Sequence, residues 1–70
     1  MRYYVTSNSI PLKAQPDNGY TRLQAIERVQ REIETDKKLF PTLSWDAIKY
    51  NYDIVDTVNF KIDYDARLAF

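Results

Sequence analysis

Between Thr21 and Phe40 the chain spells one long helix, and the rest of its seventy residues has to be built around it. Thr21 stands three residues before Gln24, the spacing of a capping box in which each side chain takes up the other residue's free backbone donor. Tyr20 and Ala25 flank the cap where a hydrophobic staple would close. Leu23, Ile26, Val29, Ile33 and then Lys37 or Phe40 recur at three- and four-residue steps, giving one apolar stripe, while Arg22, Arg28, Arg31, Glu32 and Lys38 fall on the wet side. Glu27 with Arg31, and Glu34 with Lys38, are spaced as favourable pairs worth about 0.2 to 0.5 kcal/mol each. Lys37 and Lys38 suit the negative end of the helix dipole, and Pro41 stops the helix. The spacing predicts a helix over 21–39. Its apolar stripe needs a second layer to cover it.

That layer reads as sheet. Residues 2–6, Arg-Tyr-Tyr-Val-Thr, alternate Tyr3 and Val5 against Tyr4 and Thr6, the period of a short strand. Residues 7–19 then carry Pro11, Pro16 and Pro-Asp-Asn-Gly, which predicts a loop. After Ser44 the sets Ile48, Tyr50, Tyr52, Ile54 and Val58, Phe60, Ile62, Tyr64 each alternate with polar residues, predicting a hairpin over about 47–64. If both sets share one face, Ile54 pairs with Val58, Tyr52 with Phe60, Tyr50 with Ile62, Ile48 with Tyr64, and outside them Lys49 with Asp63. A competing reading has Ser44 cap a helix on which Trp45, Ile48, Tyr52 and Val55 form a stripe, and one helical turn before the strand reconciles the two. Residues 65–70 form a tail that folds back as a cap or docks elsewhere. The expected fold is α+β, a two-layer β-α-β-β domain over residues 1–70 whose three-stranded, mainly antiparallel sheet carries one amphipathic helix on one face.

Composition narrows the chemistry. With no cysteine and no histidine, disulfides, zinc and iron–sulfur ligation and imidazole chemistry lack their residues. Gly19 is the single glycine, so neither phosphate-loop nor dinucleotide fingerprint can be written. Asp63 and Asp65 share a strand side and are an acid/base or hard-cation pair in principle, but a solvated strand end accounts for them better. The expectation is therefore no enzyme, no cofactor and no metal. The 44% of hydrophobic residues is enough for a folded core. No run approaches the roughly 18 to 20 apolar residues of a membrane span, so no membrane partner is expected, and the expected location is the cytoplasm of a bacterial or infected bacterial cell.

Ten bases balance ten acids, which argues against affinity drawn from phosphate neutralisation. The balance is uneven along the chain, about +2 over residues 1–40 and −2 over 41–70. The outer sheet face expected from the hairpin, Lys49, Asn51, Asp53, Asn59, Lys61 and Asp63, lacks aromatics that would stack bases. Protein recognition is what remains. Tyr4, Tyr20, Trp45 and Phe70 are of the residue types that dominate interfaces or end the chain apolar, and a one-helix core has little room for all of them. The acids Asp46, Asp53, Asp56, Asp63 and Asp65 could imitate phosphate charges towards a nucleic-acid enzyme. The leading expectation is a small non-enzymatic module that occupies the surface of a larger protein, a phage- or mobile-element-encoded inhibitor of a host protein such as a defence nuclease complex. The alternatives are a nucleic-acid-binding or transcriptional accessory domain, and a homodimer formed through an unpaired sheet edge.

Overall fold

The computed structural model describes residues 2–70. In chain order it contains β1 (Tyr3–Ser7), β2 (Ile10–Pro11), α1 (Arg22–Leu39), α2 (Trp45–Tyr50), β3 (Tyr52–Asp56), β4 (Lys61–Ile62) and a C-terminal 3-10 turn (Asp65–Ala69). The fold class is α+β as the pattern predicts, with a sheet ordered β2-β1-β3-β4 and every pairing antiparallel. β1 therefore lies beside the strand that follows the helices. The sheet has four strands instead of three because part of the expected loop 7–19 turns back on β1: Asn8 and Ser9 both take positive φ, 52° and 68°, and close a two-residue hairpin. That turn type needs φ > 0 at both central positions, which Asn tolerates and Ser does not advertise. Pro11 has no N–H to offer a ladder and sits on an edge strand, where that is tolerated.

The capping box at Thr21 forms in both directions, Gln24 N–H to Thr21 Oγ1 at 3.1 Å and Thr21 N–H to Gln24 Oε1 at 3.0 Å. α1 buries Ala25, Ile26, Val29 and Ile33, while Leu23 and Phe40, assigned to the stripe by spacing, are exposed. The i,i+4 ion pair on α1 is Arg28–Glu32, not the expected Glu27–Arg31 or Glu34–Lys38. Arg28 is no solvated residue either. Its guanidinium donates to the Tyr20 hydroxyl and to the carbonyls of Lys13 and Ala14, which straps the 12–20 loop onto the helix.

Ser44 caps α2 by accepting the Ala47 N–H, so the helical turn before the strand is present and Trp45 to Tyr50 are helical. The expected hairpin register is overturned. Val55 pairs with Ile62 and Asp56 with Lys61, and a four-residue turn, 57–60, replaces the tight one. The cause is local: the Asp56 carboxylate accepts the N–H groups of Val58 and Asn59 and the Asn59 amide, fixing the turn one strand-end later than alternation suggests. Val58, Phe60 and Tyr64 consequently face solvent, and Lys49 lies on α2, not opposite Asp63. The tail folds back as a 3-10 turn and buries Ala66.

β1 and β3 alternate as strands should. Val5 opposite Ile54, with Tyr52, face α1 and form the core with its stripe, Ile48 and Ala66. Tyr4 opposite Val55, and Thr6 opposite Asp53, project to the other side.

The outer edges of both long strands are occupied by the chain itself. Along β1, Tyr3 exchanges both backbone bonds with Tyr20, and Val5 is bonded by the Gln15 side chain at both N and O and by the Leu12 N–H. Gly19, at φ 80°, lets the loop come this close, since a Cβ there would lie 3.0 Å from the Tyr3 carbonyl. Along β3, the Ile54 carbonyl takes the Asp63 N–H and the Tyr52 carbonyl takes the Arg67 guanidinium. Strand addition, the expected route to a homodimer, is left only the two-residue strands β2 and β4 at the sheet's edges.

Candidate protein-binding surface

Among the described residues eight large hydrophobic side chains are buried and eleven are exposed. Scattered exposed apolar residues need no explanation, but a contiguous group does. One such group gathers where α1, α2 and the C-terminal turn meet. There Ile33 forms a buried floor, Trp45, Leu68 and Phe70 form walls, and Gln30, Glu34 and Lys49 form the rim of an open groove of about 580 Å³. Two of the walls, Trp45 and Phe70, have a local reason for their position. Ser44 starts α2 and so fixes Trp45 as its first residue. Gln30 donates from α1 to the Ala69 carbonyl at 3.0 Å and ties the C-terminus, with Phe70, alongside the helix. Lys37 turns back to the Pro41 and Leu43 carbonyls, holds the α1–α2 connection, and places its ammonium 5.4 Å from the Trp45 ring centre. Leu39, Phe40 and Leu43, also exposed, lie in the helix end and connection that Lys37 holds beside Trp45.

The structure thus brings together Trp45 and Phe70, two of the residues singled out from sequence, and separates the others. Tyr4 stands half-buried on the opposite face of the sheet. Tyr20, 8% exposed, belongs to the core and its hydroxyl is held by Arg28, so it offers a partner nothing.

The five acids do not form one charged face. Asp56 is buried, bridged to Arg2 at 2.9 Å. Burial pushes its carboxyl up, but the N–H groups of Val58 and Asn59, the Asn59 amide and Arg2 outweigh this and hold it below the ordinary aspartate range. Asp63 is bridged to Arg22 at 2.8 Å and accepts the Ala66 N–H, and its carboxyl is likewise held low, chiefly by that Arg22 bond. Asp53 is bridged to Arg67. Only Asp46 and Asp65, both exposed, have no ion-pair partner among the described residues. No cluster of three metal-ligating side chains forms among the described residues, and no helix among them is long and apolar enough to cross a membrane.

Sequence reasoning missed Leu68, Tyr50 and Tyr64. Leu68 carries no periodic signal in the tail. The expected register assigns Tyr50 and Tyr64 to the core, yet they stand 77% and 69% exposed beside Ile62, Asp53 and Arg67 around a second open groove of about 540 Å³. The Asx pattern Asp56-x-x-Asn59 was the signal that would have corrected that register. Comparison with protein-family models, curated proteins and solved structures finds no match to this chain.

Proposed function

We propose that this chain is a non-enzymatic protein-interaction module that docks on a larger protein through the groove walled by Trp45, Leu68 and Phe70. The observation that carries the reading is the excess of exposed over buried large hydrophobics, two of which, Trp45 and Leu68, wall that groove beside Phe70. An aromatic anchor, an apolar floor and a charged rim are the parts of an interface hot spot and its surround. Glu34 and Lys49 stand on the rim with no ion-pair partner among the described residues, and their charges would set the register of an incoming apolar segment. The finer proposal is that the larger protein is a host protein such as a defence nuclease complex, and the chain a phage- or mobile-element-encoded inhibitor of it. In that version phosphate imitation falls to Asp46 and Asp65, because Asp53, Asp56 and Asp63 are engaged within the fold.

Trp45 is the chain's one tryptophan, so its emission reports on the groove alone. The test compares the wild type with Trp45→Ala/Leu68→Ala for capture of protein from nuclease-treated bacterial lysate. A protein retained by the wild type and lost with the variant supports the reading, and its addition should shift wild-type Trp45 emission. Equal retention by both sinks it.

A second reading, nucleic-acid binding, gains from the aromatics on the uncovered sheet face, which the expected register had removed. Against it, the cation there, Arg67, is already bridged to Asp53. It requires a gel shift that weakens steeply with salt.

A further inference from the structure

We infer that the uncovered face of the sheet pairs with a second copy of this chain, leaving the Trp45 groove free on each copy. The two surfaces are distinct, so this pairing does not depend on the groove having a partner. Along the face runs an apolar strip, Tyr4 opposite Val55 and Val55 opposite Ile62, continued by the exposed rings of Tyr50 and Tyr64. Arg67 lines the same groove, its guanidinium 6.0 Å from the Tyr50 ring centre and bridged to Asp53.

Charge points to a copy of the same chain. The charges that line the grooves around Ile62 and Tyr64 are of both signs, Arg2, Lys61 and Arg67 against Asp53, Asp63 and Asp65, and among the described residues Arg67 is bridged to Asp53 and Arg2 to Asp56, so the face presents no single-sign patch to a polyanion. In a two-fold contact the same patch meets itself, which punishes any patch of one sign. Here each Arg67 can approach the other copy's Asp53 without bringing like charges together.

Area fits as well. Tyr50 and Tyr64 each expose on the order of 150 Å², and with Tyr4, Val55, Ile62 and the Arg67 stem the face offers roughly 600 Å² per copy, the low end of a specific interface. Tyrosine loses little rotamer freedom on docking. The expected dissociation constant is therefore weak, on the order of 10 μM. With β1 and β3 occupied along their lengths and only the two-residue β2 and β4 left for strand addition, the face is the larger surface for pairing.

Sedimentation equilibrium of the whole chain from about 1 to 300 μM tests this. The weight-average mass should rise from 8.3 kDa towards twice that value. Tyr64→Lys, which sets a like charge on both copies, should stay monomeric throughout, with Tyr50→Ala weakening association roughly tenfold, and Trp45→Ala should associate as the wild type does. Circular dichroism establishes that each variant is folded, and the exposure of Tyr50 and Tyr64 makes them tolerant sites. A wild type that remains at 8.3 kDa overturns the inference. So does a dimer that Tyr64→Lys leaves intact, or one that Trp45→Ala dissolves, which would place the contact at the groove. A monomer whose tyrosine fluorescence is quenched by a short oligothymidylate would overturn it in favour of a base-stacking face.

Discussion

The two faces of one sheet use adjacent residues for opposite purposes. On β3, Tyr52 and Ile54 point under α1 and are nearly or wholly buried, while Asp53 and Val55 point away and stay partly exposed, although Thr6 opposite Asp53 is itself buried. On β1, Val5 is fully buried and its neighbour Tyr4 is not. The same backbone carries both sets, so the difference is one of parity: even spacing puts stability on one face and leaves the other available for recognition. The largest expected contrast follows. Ile54→Ala should cost about 2 to 4 kcal/mol, a large part of the roughly 4 to 10 kcal/mol a chain of this size has in all. Val55→Ala, one residue on, should cost under about 1 kcal/mol. Urea unfolding of the two variants in parallel measures this, at protein concentrations low enough to keep any dimer apart. Equal losses would mean that the uncovered face is covered after all.

Tyr52 sharpens the contrast because it belongs to the covered face yet carries a polar tip. Its hydroxyl donates to the Asp36 carboxylate on α1, tying the sheet to its helix. Burial first, and then that carboxylate, hold the phenol well above the ordinary tyrosine range, so it stays protonated through neutral and moderately alkaline pH. Tyr52→Phe should cost about 1.5 to 2 kcal/mol, since a partly buried carboxylate loses a charge-assisted partner. Loss well below that would show that water replaces the hydroxyl without penalty.

The covered layer was legible in the sequence because periodic signals repeat. Ile26, Val29 and Ile33 agree with one another and with the Thr21 cap, and each supports the others. The candidate site was legible only in part. Trp45 and Phe70 stood out by residue type, but their meeting depends on Gln30 reaching the Ala69 carbonyl, a contact between positions 39 apart with no periodic trace. The hairpin failed because alternation alone admits several registers. What chose between them was the Asp56 carboxylate, a turn effect stronger than the gain from burying Val58 and Phe60. Ser9 and Ala14, both at positive φ without being glycine or asparagine, hid the course of the first loop in the same way.

Acid should separate the regions again. Asp56 and Asp63 anchor the ends of the β3–β4 hairpin, and both carboxyls are held below their unfolded values. The unfolded chain therefore binds more protons near those values, and stability rises with pH there. The contribution is complete above roughly pH 5 and is lost as pH falls through the depressed folded values. Asp63→Asn should cost about 0.5 to 1 kcal/mol at pH 7, since Arg22 is half-exposed and the Ala66 N–H keeps an amide acceptor. Its deficit should shrink as pH falls through the depressed folded value, where the wild-type carboxylate also loses its charge. A deficit that stays constant as the wild type is titrated would place the loss in packing, not in the carboxylate.

The smallest expected effect lies at the tip that belongs to neither face. Phe60 is 88% exposed and held at φ 53°, a region that crowds any Cβ. Its ring gains almost nothing from the fold, while its backbone bears a strain of about 1 to 2 kcal/mol. Phe60→Gly relieves that strain and adds unfolded-state entropy worth about 0.5 to 1 kcal/mol, so the net change should be a gain of about 0.5 kcal/mol. The sign is the informative part. A covered-face residue replaced by glycine can only destabilise, and a residue outside both layers should do the reverse. If urea unfolding shows Phe60→Gly to be destabilising, the ring has a packing partner, and the uncovered side of the sheet is better filled than the parity of β3 implies.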